Sequence, residues 1–292
     1  MNKIYSKVWN KSLGMLVVAS ELASASGKGG ASKRLRASVA AAGLALALGA
    51  GQVSAAQFEA DPAGNPVVAP VVGMGGTAGG QSAEAGDFAT AIGYEAQATG
   101  IYSLAMGTNA QSLGMLAVAV GNGSQAGGAA SMALGAASDA SGSVATAIGN
   151  DSKATGALAI AVGPSSRATG DLSLALGVNS EASGTGSMAL GLGAQASSAN
   201  SLAVGGYSVA SGGESVALGG IGENGTVATQ ATGLRSTALG TASQSSGQQA
   251  AAVGYMAQAD SYNGIALGSG SHVESGAYEA VALGSNSIAD RD

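Results

Sequence analysis

Few residues in this chain have the types or the spacing that chemistry requires. The only histidine, His272, sits in a Gly-Ser-Gly-Ser-His-Val-Glu-Ser-Gly stretch, two residues before Glu274. A catalytic base needs a nucleophile and an orienting group within reach, and a lone histidine in a turn is first a surface residue. There is no cysteine, which removes thiol nucleophiles and thiolate metal sites. Acids such as Glu95, Asp139, Asp151, Asp171, Glu181 and Glu214 fall at variable points between apolar segments. That scatter is not ligand spacing, and the Gly-Gly-x-Gly-x-Asp repeat of calcium-binding rolls is absent. The glycine run over residues 73–80 has no alternating strand before it and no helix pattern after it, as a phosphate loop would need. No enzyme, cofactor or metal site is expected.

With no catalytic site expected, the elements that would carry any binding surface become the question, and composition bounds them. Of 292 residues 50 are glycine, 46% are apolar, 3% aromatic and 10% charged. Much of the apolar content is alanine, so bulky residues for a thick core are scarce. Thin repeated layers suit that supply better than one globule.

Aligning the chain on glycine exposes the layers. Gly93, Gly107, Gly121, Gly135, Gly149, Gly163, Gly177, Gly191, Gly205 and Gly219 lie fourteen apart; Gly240, Gly254 and Gly268 follow after a gap of 21, and Gly284 after 16. Alanine stands two before each of these, from Ala91 to Ala282, and an aliphatic residue just before. Five after most of them alanine returns, as at Ala98, Ala126 and Ala140. Four before sits Ser or Ala, with Gly264 the exception. Period-two alternation predicts a strand, and glycine at fixed offsets predicts a tight corner. The expected fold is all-β, a parallel β-solenoid of about fourteen turns over 87–292, roughly 65 Å long at about 4.8 Å per turn.

The alternation also sorts faces. The invariant alanine marks a closed interior that admits only a methyl. The other face carries Ile92, Leu104, Met106, Val118, Val120, Leu134, Ile148, Ile160, Val162, Leu174, Leu176, Leu190, Leu202, Val204, Leu218, Leu239, Val253, Leu267 and Leu283. At roughly 1.5–3 kcal/mol for each buried aliphatic side chain, such a row is not left wet, and it is the expected interface of a parallel homo-oligomer. The seven-residue insertion, Gly220–Thr226, is either a protruding recognition loop or a passive bulge. Asn122-Gly-Ser and Asn224-Gly-Thr are turn-forming sequences first.

The N-terminal segments carry an address. Residues 1–56 hold seven bases and one acid, Glu21, for +6; with −6 for the whole chain, residues 57–292 carry −12 from four bases and sixteen acids. That acidic body excludes nucleic acid as a partner. Residues 33–56 form a basic n-region (Lys33, Arg34, Arg36) and an Ala/Gly-rich apolar stretch, with signal cleavage expected after Ala55 or Ala56. Residues 57–86, holding Pro62, Pro66 and Pro70, are expected to be a flexible lead-in.

Two features resemble a known family. The opening Met-Asn-Lys-Ile-Tyr, Trp-Asn-Lys-Ser-Leu-Gly and Val-Val-Ala-Ser-Glu-Leu-Ala over residues 1–32 resembles the extended signal peptide region of Gram-negative autotransporters. The fourteen-residue repeat resembles the head repeats of YadA-like trimeric autotransporter adhesins. That resemblance implies a left-handed parallel β-roll packed as a homotrimer through the aliphatic face and exported by the Sec translocon. It further implies a cell-surface location at a Gram-negative outer membrane, with matrix proteins such as collagen, fibronectin or laminin, or other bacterial cells, as partners. The family's collagen-associated motif, Asn-Ser-Val-Ala-Ile-Gly-x-x-Ser, is matched by Asn200, Ser201, Leu202, Ala203, Val204, Gly205 and Ser208, residues that are also the fold's consensus. No heptad stalk or barrel anchor is read before Asp292, as in a fragment or a truncated gene. The competing functions are a non-adhesive spacer and an ice- or surface-binding solenoid. The latter would need a threonine array, but outward threonines occur only at Thr90, Thr146 and Thr237.

Overall fold

A computed structural model describes residues 5–10, 15–20, 70–222, 225 and 227–290. The chain divides into two units, residues 1–50 and 51–292. In the first, Tyr5–Asn10 pairs antiparallel with Met15–Ser20, Trp9 lying opposite Leu16. The expected signal core 33–56, its cleavage positions Ala55 and Ala56, and the lead-in as far as residue 69 lie outside the described residues.

In the second unit the strands form two parallel sheets. Fifteen strands of three residues, from Thr77–Gly79 through Val118–Val120 to Val281–Leu283, make one sheet. Sixteen strands of two residues, from Val71–Val72 through Gln125–Ala126 to Ile288–Ala289, make the other. The two kinds alternate along the chain, so each circuit gives one strand to each sheet: a β-solenoid. No helix occurs among the described residues.

Register follows the repeat. Val118, Ala119 and Val120 pair with Met132, Ala133 and Leu134, while Gln125 and Ala126 pair with Asp139 and Ala140. The alternation turns one alanine per strand inward from each sheet. Ala119 and Ala126 are fully buried in a core made almost wholly of alanine, with Ser112, Ser245 and Val273 at the same inward position in other circuits. The interior is therefore as thin as two facing methyl groups allow, and strict alanine is the sequence's record of that gap.

Two tight turns close each circuit. Ser124 N–H donates to Gly121 O, and Ser131 N–H to Gly128 O, each at 3.3 Å. The third residue of each turn has positive φ, +64° at Gly123 and +53° at Ala130, as in type II turns. In these two turns the closing serine also donates its hydroxyl to the same carbonyl, at 3.0 Å for Ser124 and 2.7 Å for Ser131. Gly121 has φ +139°, and a Cβ there would collide with the carbonyl of Gly135 in the next circuit. Stacked circuits thus demand glycine at that corner.

Two features differ from the sequence expectations, and a third bears on the insertion that the sequence left open. Regular coil begins at Val71, inside the expected flexible lead-in of 57–86: Thr77–Gly79 pairs with Thr90–Ile92, and Glu84–Ala85 with Gln97–Ala98. Gly80 is a corner glycine only thirteen residues before Gly93, so an alignment at fourteen passes over it. The segment after each corner, where the alternation predicts no strand, contains the second one. Finally, the insertion leaves the ladder intact: Val209 pairs with Gln230 and Leu218 with Leu239, while Ile221 bridges Ala228 outside it.

The Gly264 exception also finds its cause. Val273 occupies an inward alanine position and is fully buried, and a Cβ on Gly264 would lie 3.0 Å from its Cγ1. A larger residue on one side of the gap is offset by a smaller one on the other.

Candidate functional site

With the interior closed by alanine, anything this coil recognises meets its outer rows. Each three-residue strand projects two side chains outward, and the ladder stacks them at about 4.8 Å. All nineteen aliphatic positions predicted for an interface lie in these outward rows, none buried within the chain. Ile92 is 43% exposed and Leu283, in the last three-residue strand, 69%.

The two-residue strands present the opposite chemistry except at Val71, Val209 and Ile288. Their outward side chains run Gln97, Gln111, Gln125, Asp139, Lys153, Arg167, Glu181 and Gln195, in register. Lys153 Nζ lies 3.7 Å from Asp151, an exposed pair. One face is thus a polar ladder suited to water, the other an aliphatic ladder that is not.

A third row runs along the corner that leads into the three-residue strands. Its positive-φ residue is Phe88, Tyr102, Leu116, Ala130, Val144, Leu158 and Leu172 in seven consecutive circuits, then Gly186, Asn200, Glu214, Arg235, Gln249, Asn263 and Glu279 in the next seven. Backbone bonds tie the row together: Leu116 N–H donates to Ile101 O at 2.9 Å and Leu172 N–H to Ala157 O at 2.8 Å. The Phe88 and Tyr102 rings stack at 5.2 Å. In the polar half, Arg235 Nε lies 2.9 Å from Glu214 Oε2, and this guanidinium holds the Glu214 carboxyl below the usual range. At the opposite corner the exposed apolar residues concentrate later, at Val178, Leu192, Tyr207, Tyr255 and Met256.

The collagen-type motif is distributed by these same rules. Ser201, Ala203 and Ser208 are buried. Ser201 Oγ donates to Ser198 O at 2.7 Å and Ser208 Oγ to Gly205 O at 2.9 Å. Gly205 is a corner glycine with φ +116°. Only Asn200, at the positive-φ position, is exposed, with Leu202 and Val204 half-buried in the aliphatic row. The motif spells out a circuit of the coil more than it gathers a surface.

His272 finds a partner that sequence adjacency did not show. Its Nε2 lies 3.1 Å from Asp260 Oδ2 in the previous circuit, while Ser246 Oγ donates to Asp260 Oδ1 at 2.7 Å. The carboxylate sits between hydroxyl and imidazole, so no base addresses the hydroxyl and no nucleophile is formed. Among the described residues no cluster of His, Cys, Asp or Glu could hold a metal ion.

Comparison with known families finds matches in both units of the chain. Residues 1–50 match the family model described as the Extended Signal Peptide of Type V secretion system. The YadA head domain repeat (2 copies) matches at 85–110, 113–138, 140–166, 168–194, 196–220, 231–255 and 245–271, together more than half of the chain. No curated protein matches it.

Proposed function

The chain belongs to the YadA-like trimeric autotransporter adhesins, and from that membership we propose that its coil is an adhesive head, assembled from parallel copies and presented to matrix proteins or to other cells. Its leader and head repeats are those of a chain exported to the surface of a Gram-negative bacterium. Residues 33–56 complete the export signal, cut after Ala55 or Ala56, and the head assembles once it is outside.

One observation carries the assembly: the aliphatic ladder from Ile92 to Leu283 is continuous, in register and unburied within one chain. Burying one or two such side chains per circuit over the length of the coil stabilises association by tens of kcal/mol before the entropic cost of assembly. Parallel copies satisfy every circuit at once, because the repeat of the partner matches. The polar ladder and the corners then remain outward as the adhesive surface. Asn200 belongs to that surface, while Ser201, Ala203, Gly205 and Ser208 act through the shape of the circuit that carries it.

Two measurements test the reading. Sedimentation of the full chain is expected to give a parallel trimer, and a well-behaved monomer at micromolar concentration would sink the assembly. Retention on immobilised collagen, fibronectin or laminin, or on whole cells, is expected of an adhesin; no retention on any of them rejects adhesion.

A further inference from the structure

The corner row that is apolar from Phe88 to Leu172 and polar from Gly186 onward has no explanation within one chain. At a positive-φ position the backbone favours Gly or Asn, and a bulky or β-branched residue costs about 1–2 kcal/mol. Seven consecutive circuits nonetheless carry Phe, Tyr, Leu, Ala, Val, Leu and Leu there, and the next seven carry Gly or polar residues. These side chains are not taken inward by the fold: Leu116 is 54% and Leu172 61% exposed. Neighbours such as Ile101 and Met115 extend the apolar surface on the same corner. Positive φ runs through both halves, at Glu214, Arg235 and Gln249 as well, but apolar side chains occupy that position only from Phe88 to Leu172.

We infer that this ridge is a subunit contact: in the N-terminal seven circuits the aliphatic ladder of one copy packs against the corner ridge of the next copy. The inference rests on the proposal that copies associate through the aliphatic ladder. A cyclic trimer is heterologous, so the patch one copy offers meets a different patch on its neighbour. The aliphatic ladder therefore needs a second apolar surface beside it. The ridge is that surface: Leu116 lies two residues before Val118, and Leu172 two before Leu174, so ridge and ladder are continuous. Over six steps of about 4.8 Å the ridge is roughly 29 Å long. Its half-exposed side chains offer on the order of 900 Å², the size of one partner's share in a stable interface. Beyond Gly186 the positive-φ position is glycine or polar, and the exposed apolar residues of that corner are reduced to the separated Leu234, Tyr262 and Tyr278.

Asparagine suits the backbone of this corner and removes its apolar surface, so it separates the two roles. The full chain carrying Leu116→Asn, Leu158→Asn and Leu172→Asn is expected to keep its circular dichroism but to dissociate at ~100-fold higher concentration. Asn263→Leu, on the polar half of the same corner, should leave dissociation unchanged. A second measurement uses the absence of cysteine: with Leu158→Cys and, separately, Gln249→Cys, alkylation of the assembled chain should be at least about tenfold slower in the Leu158→Cys chain, and dilution to monomer should equalise the rates. If the wild type assembles and the Asn variant assembles equally well, or melts higher, or if the Leu158→Cys chain is alkylated as fast as the Gln249→Cys chain, the ridge is open to solvent or to a different partner and the inference is overturned. A wild type that sediments as a monomer overturns both this inference and the assembly it rests on.

Discussion

The two sheets of the coil are the same object on the inside and opposite objects on the outside. Both are parallel and in register, and both turn alanine inward, as at Ala161 and Ala168. Outward, one carries Ile160 and Val162 while the other carries Arg167. Backbone register dictates the shared interior, because each methyl faces one from the opposite sheet across a fixed gap. It is silent about the exterior, which answers to whatever touches each face: water on the short strands and, in the proposed assembly, partner chains on the long ones.

The sharpest way to break that comparison is to overfill the gap from each side. Ala161→Leu and Ala168→Leu should cost the same, about 3 kcal/mol or more in urea unfolding, since neither sheet can move away without losing its ladder. Unequal costs would mean that the two interiors differ after all. Outside, the sheets should part company. Leu174→Ser with Leu176→Ser should weaken association by about 2–3 kcal/mol in sedimentation and leave the circular dichroism intact, whereas Gln195→Ala should do neither.

A smaller effect is expected where the gap has already been renegotiated. Gly264→Ser alone should destabilise by about 1 kcal/mol by pressing on Val273, and Val273→Ala in the same chain should restore the loss. Additive thermal shifts in that double-mutant cycle would refute the pairing. The smallest effect should come from the exposed Glu214–Arg235 pair. The Glu214 carboxyl is held low in the folded chain, so the pair contributes above the pKa that Glu214 has unfolded and is lost as pH falls through its folded value. Melting of Glu214→Gln should differ from wild type at neutral pH and low salt only. A difference that persists in strong acid or high salt would exclude this account.

Much of this architecture was legible because the physics repeats with the chain. Gly121 and Ala119 recur at fourteen since each circuit meets the same neighbour, and one missing residue between Gly80 and Gly93 was enough to hide the first circuits. The second strand was not legible: two residues, such as Gln125–Ala126, are too short for alternation to register. Nor were the positive-φ corners, because Leu158 and Val144 are residues that a turn rule would place elsewhere. The partnership of His272 with Asp260 escaped for a different reason, since proximity across circuits appears only when the chain is wound.

The register described above also sets a direction in time. A strand such as Ile160–Val162 finds its partners fourteen residues behind and fourteen ahead, so a circuit can dock as soon as it emerges and waits for nothing distant. A chain threading through a narrow passage would wind outside it one circuit at a time. Each completed circuit would resist slipping back, because retreat means unwinding hydrogen-bonded turns. Winding of this kind acts as a ratchet, and the energy that moves such a chain outward is then the energy of its own folding.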